Sequence, residues 1–229
     1  MPQQRDQRTL FPPSHIAARL PVTTQLHSVL LSQIIEVQSG HTFIRAAWNA
    51  LSVWPRQVAK TYRFGPPDAF MDADGRYPYH WIYVAEHVIT AAWEAQLCAN
   101  DMTRPGTFYI REGATDALMA TLVFDKPIRL LDLTGTVVSK LGIYDDLRSP
   151  DHEWCQWFGN QLDDVISSQG GLVHGFRYPS RRHPGFLAYA LSSRFMDDLA
   201  GHLTHSITKF GATDALKSME RDPCCVEHP

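Results

Sequence analysis

The sequence predicts an α+β fold, a strand-rich core with helices packed around it. Three observations predict it: β-prone apolar runs recur along the chain, segments of helical periodicity accompany them, and the composition is that of a globular domain. Of 229 residues, 44% are hydrophobic and 20% charged, far from the profile of a disordered chain. That length holds one ordinary domain with a small appendage.

Taken in order, Met1 to about Thr24 is rich in Gln, Arg and Pro and reads as an arm or irregular lead-in. From Leu26 to about Gln38 the apolar residues Val29, Leu30, Ile34 and Ile35 fall near helical spacing, and Gly40 supplies a stop. A second helix is expected over Thr42 to Leu51, with Ile44, Ala47 and Trp48 on one face, ended by Pro55. Val58 to Phe64 reads as a short strand before a loop punctuated by Gly65-Pro66-Pro67, Asp72, Asp74 and Gly75. Trp81 to Ala85 reads as a buried strand, and Glu86 to about Ala99 as a helix that contains Glu94. Further strands are expected at Thr107–Arg111, Ala120–Phe124, Ile128–Leu133, Leu172–Phe176 and Phe186–Leu191, with a helix over His152–Ser168 closed by Gly170-Gly171. The organisation follows: an N-terminal arm with helices over 1–57, a main domain over 58–205 and a C-terminal tail over 206–229.

Charge and motif content exclude several classes. A formal net charge of −3 provides no global field for nucleic acid or anionic membranes, so any positive site must be local. No apolar run approaches the length that spans a bilayer, and a signal-type apolar region is missing from the N-terminus. Cys98, Cys155, Cys224 and Cys225 have the spacing of neither a disulfide framework nor a paired zinc site, which fits a reducing cytoplasm and predicts no metal. Phosphate-loop, dinucleotide-fold, zinc-protease and nucleophile-elbow fingerprints are missing too. His80 and His87 lack metal-ligand spacing, and the basic run Arg177, Arg181, Arg182 and His183 reads as a solvated loop or a pocket rim.

Three separated segments carry a resemblance that spans about Tyr62 to Leu191. They are Tyr62-Arg63-Phe64 with Gly75-Arg76-Tyr77, then Ile82-Tyr83-Val84-Ala85-Glu86 running on to Ala91-Ala92-Trp93-Glu94, and last Gly175-Phe176-Arg177-Tyr178-Pro179-Ser180. With the strand Leu130-Leu131-Asp132-Leu133, they resemble the RES-domain toxin family, which takes its name from Arg, Glu and Ser in that order. The resemblance implies an ADP-ribosyltransferase-like β core with surrounding helices, and cleavage of the nicotinamide–ribose bond of NAD+ by water or by phosphate. It also implies a toxin–antitoxin pair with a cognate Xre-type antitoxin protein. ADP-ribose transfer to a protein and a catalytically silent nucleotide-binding module stay open, as does a homo-oligomer.

The residue types suit that chemistry. A guanidinium offers rigid paired donors that match phosphate oxygens, which makes Arg63 and Arg76 the expected pyrophosphate or ribose anchors. Loss of nicotinamide leaves positive charge on the ribose, and a positioned carboxylate, Glu94, would stabilise it. Tyr83 provides an aromatic face and a hydroxyl for nicotinamide or ribose, and Ser180 a hydrogen bond from its turn. Outside such a motif, these arginines would be surface ion-pair partners and Glu94 a solvated helix residue.

Overall fold

The computed structural model describes residues 10–228. Its chain order opens with two helices, α1 (Ser14–Ala17) and α2 (Thr23–Leu31), followed by strands β1 (Ile34–Val37) and β2 (Thr42–Ala47). After a long irregular segment come β3 (Trp81–Ala85), α3 (Val88–Glu94), β4 (Cys98–Asn100), β5 (Phe108–Ile110), β6 (Leu118–Phe124) and β7 (Ile128–Asp132). The rest is α4 (Thr136–Lys140), α5 (His152–Ser167), β8 (Gly175–Pro179), β9 (Leu187–Ser192), α6 (Met196–Ala200), β10 (Leu203–Lys209), α7 (Asp214–Glu220) and β11 (Cys225–Val226). The fold is α+β, as the sequence predicts. Among the described residues, no helix is long and apolar enough to cross a membrane.

Eight strands form one sheet in the order β1-β7-β8-β9-β3-β2-β6-β10, and a small second sheet runs β11-β5-β4. All neighbours in the large sheet are antiparallel except β7 and β8. Alternation of side chains divides its core. Along β9, Ala188 and Ala190 face a cluster with Trp154, Phe158 and Leu162 of α5, while Tyr189 and Leu191 face a second cluster with Phe43, Leu122 and Leu199. A third cluster joins Ile44 and Ala85 to Ala91 and Ala92 of α3 and to Leu216 and Met219 of α7.

The ladder of the large sheet breaks between β3 and β2. β2 keeps all six of its residues in register with β6 but pairs with β3 at a single position, Ile44 with Ala85. Beyond that pair the gap is bridged by Arg45, whose guanidinium donates to the Tyr83 carbonyl at 2.8 Å and to the Ser52 carbonyl at 2.8 and 3.0 Å. A side chain there replaces the missing ladder bonds, and it satisfies carbonyls that would otherwise be orphaned.

Several elements correct the expectations. Residues 42–47 form a strand, not a helix, because Thr42-Phe43-Ile44-Arg45-Ala46-Ala47 is inserted in the sheet with apolar residues on both faces, which hides the period of two. The first long helix ends at Leu31, and the β-branched pair Ile34-Ile35 leaves it to pair with Leu131 and Leu130. Val58–Phe64 is irregular rather than extended, closed by a turn in which the Gly65 N–H donates to the Tyr62 carbonyl at 2.9 Å. The expected boundary at 205 falls inside β10, and the tail holds α7 and β11, the latter paired with Phe108 and Tyr109. The first nine residues of the predicted arm lie outside the described ones.

Candidate active site

A cleft of about 350 Å³ opens where β2 and β3 part. Its floor is Ala46, Tyr83 and Val84 from the two strands, and Glu94 comes from the last turn of α3. That helix ends in a left-handed residue, Gln96, with φ of 58°. The Gln96 N–H donates to the Trp93 carbonyl at 3.1 Å and the Leu97 N–H to Ala92 at 2.9 Å, which are the paired bonds of a Schellman cap. The cap turns the chain sharply after Glu94 and fixes the direction in which its carboxylate emerges.

Both carboxylate oxygens are held. The Ser180 hydroxyl donates to one at 2.6 Å and the Tyr178 hydroxyl to the other at 2.9 Å. Tyr178 stands in β8 and Ser180 one residue past its end, two positions further on, so both reach one group. Ser180 is buried and accepts the His183 N–H at 3.0 Å, which turns its own hydrogen toward Glu94. Burial, and then the neighbouring Glu94 charge, push the Tyr178 hydroxyl well above its ordinary value, so it stays a proton donor. A carboxylate accepting two such bonds keeps its remaining lone pairs for a ligand.

The walls are cationic in a chain of negative net charge. Arg45, Arg63, Arg111, Arg181 and Arg182 line the cleft against one acidic side chain among the described residues, Glu94. Arg45 is fully committed to the strand gap, and burial lowers its guanidinium to about 10. Arg63 donates to the carbonyls of Leu147 and Ser149 and lies over the Phe64 ring at 4.9 Å. Arg111, Arg181 and Arg182 have no side-chain hydrogen-bond partner among the described residues. Burial, and then the like charges of Arg63 and Arg182, lower Arg181. Burial and the Arg181, Arg63 and Arg182 charges also lower His152 at the cleft edge, which keeps that imidazole neutral near pH 7. Such crowding of like charge is costly in an empty site and is relieved by an anion.

Of the five residues expected from sequence, four meet here. Arg63, Tyr83 and Glu94 line the cleft, and Ser180 sits behind Glu94 as its positioning partner. Tyr83 is tied down, its hydroxyl accepting the Phe64 N–H at 3.0 Å, and burial raises that hydroxyl above its ordinary range. Arg76 is the exception. It is exposed in a tight turn, where its N–H donates to Asp72 Oδ1 at 2.9 Å, and it lines a separate cavity with Arg56, Tyr77 and His80. The arginines that join Arg63 are instead Arg181 and Arg182, from the basic run, and Arg111, which no local pattern singles out. Arg177 of that run pairs with Asp132 at 2.7 Å outside the cleft. Tyr178 was legible in principle, since it stands two before Ser180 in a strand.

No family model, no curated protein and no solved structure matches the chain.

Proposed function

We propose that this chain cleaves the nicotinamide–ribose bond of NAD+ as a toxin of the RES type, on an ADP-ribosyltransferase-like core. One observation carries the proposal: a doubly held carboxylate, Glu94, in a cleft whose other charged walls are arginines. NAD+ is itself patterned this way, with an anionic pyrophosphate and a positively charged nicotinamide on ribose. The uncommitted guanidinium groups of Arg181 and Arg182, with Arg63, suit the pyrophosphate oxygens. Glu94 suits the ribose whose positive charge grows as nicotinamide leaves.

In that reaction the bond from C1′ of ribose to the nicotinamide nitrogen breaks, and its electron pair leaves with neutral nicotinamide. Glu94 stabilises the oxocarbenium-like ribose, while Tyr178 and Ser180 hold it at the required place. Water then gives ADP-ribose and a proton; inorganic phosphate gives ADP-ribose carrying a phosphate at C1′. Tyr83 in the floor provides a ring edge and face beside the same centre. A toxin role, an Xre-type antitoxin covering the cleft and a cytoplasmic site of action follow from the resemblance and are proposed with it.

The test is nicotinamide release from NAD+ by the purified chain, with and without phosphate. Release that Glu94→Gln abolishes supports the proposal, and a requirement for phosphate names the acceptor. No release in either buffer, with labelled NAD+ modifying a protein in lysate, would favour protein ADP-ribosylation instead.

A further inference from the structure

One end of the cleft contains groups that the cleavage chemistry does not use. Trp48, just past β2, exposes 46% of its surface, and its indole N–H is pinned to the Ala95 carbonyl at 3.3 Å. No aromatic ring of the described residues packs on it. Ala95 lies between Glu94 and Gln96, so the indole sits against the turn that carries both. Gln96 is the one non-glycine residue of positive φ among those described, at a cap position where glycine would cost nothing. Its amide has no hydrogen-bond partner among the described residues, yet it lines the cleft. Arg111 completes the group, its backbone N–H donating to the Leu97 carbonyl at 2.9 Å and its guanidinium uncommitted. Arg182 stands close by: burial raises the Cys98 thiol to about 12, and Arg182 and Arg111 both pull against that rise.

We propose that Trp48, Gln96 and Arg111 form the base-reading end of the cleft, and that the base they take is adenine. An exposed, anchored indole is a stacking platform for a base. A glutamine amide presents a donor beside an acceptor, the pattern that pairs in bidentate fashion with N6 and N7 of adenine. Hypoxanthine replaces the N6 donor with an acceptor and loses that match. Arg111, with Arg182 near it, takes the phosphate next to the adenosine. A backbone conformation that disfavours glutamine is then retained for the amide it carries. The subsite rests on the proposed NAD+ reading, whose substrate has its adenosine beyond the pyrophosphate from the scissile bond.

Binding of ADP, IDP and inorganic pyrophosphate to the full chain, measured by calorimetry, tests this apart from any cleavage. The expected order is ADP, then IDP, then pyrophosphate. Trp48→Ala weakens ADP about ten- to a hundredfold and leaves pyrophosphate unchanged. Gln96→Gly, which relieves the backbone and so keeps the fold, removes about tenfold of the preference for ADP over IDP. Equal binding of ADP and pyrophosphate, or ADP binding untouched by both substitutions, overturns the subsite even if nicotinamide release is normal. Adenine-dependent binding through Trp48 with no nicotinamide release would leave the subsite standing and reject the cleavage reaction.

Discussion

Replacing Ser180 by alanine removes one of the two donors on Glu94 and leaves the cleft walls in place. The lost bond is short, 2.6 Å, and its acceptor is a carboxylate, so it falls in the class worth about 2 kcal/mol. At about 1.4 kcal/mol per tenfold in rate, kcat for the proposed nicotinamide release is expected to fall about 30-fold. The Tyr178 bond is longer, 2.9 Å, and Tyr178→Phe costs about tenfold. Both hydroxyls hold one group, so the double variant loses less than the product of the two and no more than Glu94→Gln. Because Ser180 acts through Glu94, KM changes little and Ser180→Thr, which keeps a hydroxyl, restores much of the rate. Steady-state kinetics, with thermal unfolding to show that each variant is folded, decide the matter. A Ser180→Ala variant within twofold of the parent kcat, while Glu94→Gln is inactive, would refute the positioning role, as would a change confined to KM.

Other expectations follow from the same structure. Arg76→Ala leaves nicotinamide release at the parent rate, because Arg76 lies in a cavity apart from Glu94, whereas Arg181→Ala raises KM; one kinetic comparison separates them. Gly159→Ala destabilises by about 3 kcal/mol or more in urea unfolding, since an added Cβ would stand 2.0 Å from the Phe64 carbonyl oxygen in the segment that positions Arg63. That oxygen also accepts the Trp81 indole N–H at 2.5 Å, so the backbone has little room to retreat. Stability falls as pH drops from 7.5 to 5.5, because burial depresses His80 and His174 in the folded chain. The unfolded chain takes up their protons near its ordinary histidine range while the folded chain resists. The stability present above that range is therefore lost below it, at up to about 1.4 kcal/mol per pH unit for each histidine. Urea midpoints at the two pH values measure the loss, and His174→Asn reduces it.

What could be read locally was what depends on local pattern. The helix at His152–Ser167 shows itself because one face, with Trp154, Phe158, Leu162 and Val165, repeats at helical spacing. Trp81–Ala85 is a short apolar run rich in aromatic and β-branched residues, and it forms β3 as expected. By contrast, Thr42–Ala47 carries no alternation to read, and Ile44, Ala47 and Trp48 happen to match a helix; only insertion between β3 and β6 decides in favour of a strand. Val58–Phe64 has the residues of a strand but sits where Gly159 and the Trp81 indole close on the Phe64 carbonyl, and among the described residues it pairs with no strand.

The site divides in the same way. The sequence by itself determined the α+β class and the residue types of the centre, since Arg63, Tyr83, Glu94 and Ser180 stand out by motif and order. The tertiary structure alone decided which groups meet. Glu94 and Ser180 are 86 positions apart, and their bond exists because β8 ends where the cap of α3 points the carboxylate. Arg76, only 13 residues from Arg63 by the numbering, is excluded because its turn folds to the other cavity, while Arg111 and Arg182 enter from distant segments. Hydrophobic periodicity is a local property of the chain. Convergence of charge around a cleft is a property of how the strands pack, and here it follows the parting of β2 and β3, which pair only at Ile44 and Ala85.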